Sequence, residues 1–190
     1  MTNHDVAIIS GAASGIGRAT AVQLAARGVK VVIGTFPGDP HDPMQTQSLV
    51  AAQGGQSVIH EVDVRDSGQV DAFAQRAIDE FGSLSIAVAN AGILRNAALA
   101  DLTDAAWDDM LQVDLTGVLR TFRSASKVMK SSGSMVAVSS IAAFKEIALL
   151  PNKPRIHIEL DTGMTRGGFL DEWQEFLLQD FSTVNVVGVF

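Results

Sequence analysis

The chain is predicted to fold as an α/β protein, a doubly wound parallel sheet with helices on both faces. Three observations predict it. Five short apolar runs alternate with segments of helical periodicity, and a glycine-rich turn joins the first run directly to a helix. Strands separated by helices in this way need crossover connections, which make neighbouring strands parallel.

The first strand is VAIIS, residues 6–10. It runs into SGAASGIG, residues 10–17, which opens the first helix. In that turn Gly11 permits the tight reversal, Gly15 lets backbone approach a pyrophosphate, and Gly17 allows close helix–strand packing. The helix N-terminus then favours phosphate charge. Further buried strands are expected at VKVVIGT (29–35), SVIHEVD (57–63), SIAVANA (85–91) and SMVAVSS (134–140). Between them, Val70, Phe73, Ala74, Ala77, Ile78 and Phe81 recur at helical spacing, and Gly82 supplies the stop. Leu111, Leu115, Val118, Leu119 and Phe122 do the same on one long helix, residues 104–131, that ends near Gly133.

At 190 residues the chain is long enough for one domain with a sizeable core. A net charge of -7 without a Lys/Arg cluster argues against nucleic-acid binding. There is no cysteine, hence no disulfide framework and no thiolate metal site, and no metal ligand set is expected. The start, MTNHDVAIISG, lacks the basic and long apolar regions of a secretory signal. No apolar run reaches the ~18 residues that would span a bilayer. A cytoplasmic, soluble protein is expected.

Over residues 1–143 the motifs resemble the short-chain dehydrogenase/reductase family, in order. They are SGAASGIG, VDVRD around Asp63, VANAG (88–92), VDLTGV (113–118) and VAVSS ending at Ser140. The resemblance implies a Rossmann-like fold that binds NAD or NADP and acts on a carbonyl or secondary alcohol. It places cofactor contacts at Gly11, Ser14, Gly15, Ile16, Gly17, Thr35, Asp63, Val64, Asn90, Ala91 and Gly92. Asp63 is at the position that contacts adenine, and Ser140 at that of the substrate-polarising serine. Asp114 stands where the family usually has an Asn in a proton relay. It can accept the same hydrogen bonds but cannot donate as an amide does. Thr35 follows the second strand, where an acid would favour NAD and a nearby arginine NADP. Asp39 and Asp42 follow it and lean the choice toward NAD, and Phe36 is a candidate stacking ring. The family's dimer, built on long helices such as 104–131, makes a homo-oligomer a further expectation.

The family's acid/base pair, Tyr-x-x-x-Lys after the serine, is missing: the chain contains no tyrosine. Lys153 and His157 have a tempting spacing, but Lys153 precedes Pro154 and is biased out of helix. Residues 147–190 instead resemble one strand–helix–strand piece of an alanine-racemase-type barrel. DTGMTR (161–166) is the signature, and Glu159 stands at the place of that family's lysine. One such unit cannot make an eight-unit barrel. RIHIEL and VNVVGVF, joined by a helix with Leu170, Trp173, Phe176, Leu177 and Phe181 on one face, could supply the last two strands of a seven-stranded sheet. The expected organisation is a dinucleotide-binding region, 1–143, and a foreign tail, 144–190, packed on the same sheet. The expected function is an impaired oxidoreductase. The alternatives are a non-catalytic nucleotide-binding module and a chimeric, recombined chain without selected function.

Overall fold

A computed structural model describes residues 5–95, 97–98, 100–129 and 132–138, and the backbone of 155–158 and 185–189. It divides into two units, Met1–Val138 and Ser139–Phe190.

In the first unit five parallel strands stand in the order β3-β2-β1-β4-β5. They are β1 (Val6–Ile9), β2 (Lys30–Thr35), β3 (Ser57–Glu61), β4 (Ile86–Ala89) and β5 (Ser134–Ala137). All five lie where the apolar runs predict, but the expected burial is corrected at the two edges: β5 is exposed along its length and β3 is half-buried, because an edge strand has a neighbour on one side only. The four residues of β1 are fully buried, because strands in the middle of a parallel sheet are covered on both faces. Alternation then assigns each residue to a layer. Val6 and Ile8 pack with Val32, Val70, Phe73 and Ala77 on one face, while Ala7 and Ile9 pack with Val31, Ile33, Ala21 and Val50 on the other.

The helices are α1 (Gly15–Ala25), α2 (Pro43–Ala52), α3 (Ser67–Phe81), α4 (Asp104–Leu111) and α5 (Gly117–Val128). The spacing of α3 is realised: Val70, Phe73, Ala74 and Ala77 are buried, Asp66 caps the start by accepting the Gln69 N–H, and Gly82 closes the end. α2 has no counterpart in the hydrophobic pattern, since it buries only Thr46 and Val50. Its start was nonetheless marked. Asp42 is the N-cap and Pro43 the first helical residue, a pairing that suits a helix start.

The long helix expected over 104–131 is helical from Asp104 to Val128, with two changes. A π-helical turn, Gln112–Thr116, separates α4 from α5, and Met129 is extended. The buried face of α5 is Gly117, Thr121, Ser124 and Ala125, small residues that let it lie close to α3. Leu115 and Leu119, on the apolar stripe, are 65% and 58% exposed.

In the second unit, taken by itself, β6 (Arg155–Ile158) and β7 (Asn185–Val189) pair in parallel as a two-stranded sheet, with a register shift at Ile156/His157. His157 is on a strand, as the alternation of RIHIEL implied. Ser140, Lys153, Glu159, the 161–166 run and the apolar face from Leu170 to Phe181 lie outside the described residues.

Candidate dinucleotide-binding site

Chain order reverses between β1 and β4. β1 leads through α1 to β2 on one side, and β4 lies on the other, so their carboxyl ends flank a crevice. The glycine turn and the residues after β4 meet there. Ser10 is buried, and its Oγ accepts the N–H groups of Asn90 (3.0 Å) and Ala91 (3.1 Å). In return Asn90 Nδ2 donates to the carbonyls of Ser10 and Gly11, both at 3.0 Å. The two loops are thus held as one piece.

Two glycines are needed for that closeness. Gly11 has φ +64°, and a Cβ there would lie 2.9 Å from Ala91 Cα. At Gly17 a Cβ would collide with the Gly11 carbonyl and lie 2.6 Å from Asn90 Nδ2. Gly15 differs, because a Cβ there would have no atom within 4 Å. Its face of the turn is open. Ser14, the N-cap of α1, makes no side-chain cap bond. The first-turn N–H groups of α1 are therefore not claimed by the Ser14 hydroxyl and can serve an anion, as the helix dipole favours. Ile16 is exposed beside them. A diphosphate fits the turn in charge and in room.

A brace behind the turn was not legible in the sequence. Thr46, fully buried on α2, donates through Oγ1 to the Ala12 carbonyl at 2.9 Å and accepts from Arg18 Nε at 3.0 Å. The Arg18 guanidinium also bonds the Ala13 carbonyl. Buried carbonyls of the turn thereby find partners on another element, which a buried polar group requires.

At the other end, Thr35 is buried and its carbonyl accepts the Val62 N–H at 2.8 Å. Phe36 stands exposed after it. Asp63 is gripped by Arg65: Nε lies 2.9 and 3.0 Å from its two oxygens, Nη2 lies 2.8 Å from Oδ2, and the Arg65 N–H donates to Oδ1 at 2.9 Å. These bonds hold the Asp63 carboxyl below its ordinary pKa. Arg65 Nη1 reaches Asp109 on α4 at 2.7 Å, and Arg95 Nη2 reaches the other Asp109 oxygen at 2.6 Å. Bonds from Arg95 and then from Arg65 lower the Asp109 pKa as well. Val64 is buried against Gly117.

Three acids near the site are engaged locally. Asp114 is exposed in the π-helical turn, and its Oδ1 accepts the Ile93 N–H at 2.8 Å just past Gly92. Asp42 is engaged as the α2 cap, accepting the Met44 N–H at 2.9 Å. Asp39 bonds the His41 N–H and lies 2.9 Å from its ring Nδ1. Both acids are occupied by local turn bonds, which short acidic side chains make readily. Among the described residues, no group of three His, Asp or Glu side chains is placed to hold a metal, and no helix is long and apolar enough to cross a membrane.

The fold and turn define a Rossmann-like domain whose glycine loop opens at the topological switch point. The chain belongs to the short chain dehydrogenase family, whose pattern it matches over residues 5–152. It is 43% identical over 139 residues to cis-4-hydroxycyclohexanecarboxylate dehydrogenase of Sinomonas cyclohexanicum, covering 72% of this chain and 55% of that protein. It is 36% identical over 154 residues to an uncharacterized NAD-dependent oxidoreductase of Mycobacterium tuberculosis, covering 74% of this chain and 56% of that protein. Among solved structures it resembles an alcohol dehydrogenase of Thermococcus sibiricus complexed with 5-hydroxy-NADP. The TM-score is 0.65 at 30% identity, covering 72% of this chain and 58% of that one. A short-chain dehydrogenase/reductase of Serratia marcescens has a TM-score of 0.68 at 27% identity, covering 78% and 58%. The chain thus spans little more than half the length of these relatives.

Proposed function

We propose that this chain binds a nicotinamide dinucleotide, NAD in preference to NADP, in the manner of an oxidoreductase for carbonyls or secondary alcohols, with its own turnover impaired. The observation that carries the binding is the open α1 N-terminus at the β1/β4 switch point. First-turn amides would hold the diphosphate, and the Ser10–Asn90 bonds would keep the loop after β4 aligned along the nicotinamide side. The cofactor class supplies or accepts hydride when bound. Ser140 would polarise the substrate oxygen. No side chain of this chain is assigned the proton, because the family's tyrosine is lacking. That same lack favours a second reading, a nucleotide-binding module without catalysis. The racemase-type reading of residues 147–190 rests on the sequence pattern around 161–166 and Glu159, and no relative named above supports it.

Titration with NADH and NADPH, followed by cofactor fluorescence and melting temperature, tests binding. A ligand specific for the folded state adds about 2.7 kcal/mol at a hundred times its dissociation constant. A saturable rise supports the reading, and a cooperative melt that neither nucleotide moves sinks it.

Self-association belongs to the same reading. Trp107, Leu115 and Leu119 leave large apolar surface exposed on α4 and its continuation. A second copy is its proposed occupant, since acidic Asp104 and Asp108 of α4 and basic Arg120 and Arg123 of α5 are charge-complementary when helices pair antiparallel. Sedimentation equilibrium is expected to give a dimer that Leu115→Glu with Leu119→Glu converts to a folded monomer. A wild-type monomer at tens of micromolar would reject it.

A further inference from the structure

Arg65 lies two residues beyond Asp63 in the loop after β3, yet its guanidinium meets three separate pieces of chain. It holds Asp63 through Nε and Nη2, it reaches Asp109 on α4 through Nη1, and it stands 5.3 Å over the ring of Phe36. Phe36 directly follows Thr35, the last residue of β2. Arg65 is therefore a cation beside the strand end where, on the reading above, the adenosine ribose presents either a hydroxyl or a phosphate.

An arginine in that place would ordinarily attract the phosphate, because its planar fork matches phosphate oxygens. Here the fork is already occupied. Two carboxylates face one guanidinium, and Arg95, bonded to the far oxygen of Asp109, brings the group to neutrality. A phosphate dianion arriving beside Phe36 would meet a cation whose charge is cancelled and two acids that repel it. The side chains are partly open to solvent, 36% for Arg65 and 23% for Asp109. Ion pairs so placed contribute little to stability. Their arrangement bears instead on which anion this corner admits.

We propose that Asp109 is a specificity-determining residue acting at a distance from the cofactor: from α4 it engages Arg65 and so disfavours the 2′-phosphorylated dinucleotide. The inference rests on the proposed dinucleotide binding. It assigns the preference for NAD to an acid on the fourth helix rather than to one at the end of β2, where Thr35 stands.

The test is Asp109→Asn in the full chain, with dissociation constants for NADH, NADPH, 5′-AMP and 2′-AMP. Removing one charge leaves Arg65 and Arg95 facing Asp63 alone. The ratio of NADPH to NADH affinity is expected to rise about five- to tenfold, with the same sense for 2′-AMP over 5′-AMP. The gain should shrink between 50 and 500 mM salt, as screening requires. In an Arg65→Met background the same substitution should leave the ratio unmoved, a result that a merely structural role of Asp109 would not produce. An unchanged ratio in Asp109→Asn, or an equal rise in the Arg65→Met background, overturns the inference while the binding reading stands. If wild-type chain binds none of the four nucleotides, the binding reading falls, and the inference with it.

Discussion

Gly17→Ala is expected to abolish saturable NADH binding and to lower the melting temperature. The added methyl would press on the Gly11 carbonyl, on Asn90 Nδ2 at 2.6 Å and on Ala12 Cα at 3.0 Å. Two of these three are backbone, so no side-chain rotation relieves the contact. Overpacking of this kind costs about 1–3 kcal/mol, which at this chain length is roughly 2–4 °C in melting temperature per kcal/mol. Binding suffers more than stability. The easiest relief is to push the glycine turn away from Asn90, and that moves the first-turn amides of α1 off their common target. Differential scanning fluorimetry with and without NADH reads both effects. A variant that melts lower but still shows the full NADH shift would mean that the turn does not form the phosphate cradle.

Carbonyl reduction by the purified chain should run about 10²–10⁴ below that of a family member with its tyrosine, the usual contribution of a positioned general acid. The deficit has a signature beyond slowness. With no assigned protein donor, the proton must come from solvent or buffer, so residual NADH oxidation should increase with buffer-acid concentration at fixed pH. A chain with an internal donor would instead reach a rate independent of buffer and show its own pKa. Stopped-flow NADH fluorescence with an activated aldehyde, at several phosphate concentrations, distinguishes the two. A buffer-independent rate within tenfold of a tyrosine-bearing relative would show that some residue of this chain has taken the role.

The central strands were legible because the middle of a parallel sheet is covered on both faces and demands near-continuous Val, Ile and Ala. α3 was legible for a similar reason, with a wide apolar stripe and a glycine stop. α2 was not, because its one fully buried polar residue, Thr46, serves a hydrogen bond instead of an apolar face. Its Asp-Pro start was the available signal. The stripe running into α5 misled in the opposite sense. Leu115 and Leu119 are exposed, while Gly117, Thr121, Ser124 and Ala125 face inward, because the close approach of α5 to α3 selects small residues rather than large ones. Periodicity measures apolar character and cannot report how near a neighbouring helix will come.

The site divides along the same line. Gly11, Gly15 and Gly17 were readable because the turn's backbone demands are local, and Asn90 because it lies in a short motif next to a strand. Arg18–Thr46 and Arg65–Asp109 were not readable, being pairs separated by 28 and 44 positions. Nothing in one member of such a pair specifies the other. The sequence by itself determined a sheet, a glycine turn between strand and helix, and the lack of any tyrosine in its 190 residues, since those depend on residue type and short spacing. Only the tertiary structure decided which acids are already engaged, which apolar face is covered and where Arg65 delivers its charge. Those are matters of which long side chains meet across elements, and the packing of the sheet and its helices sets them.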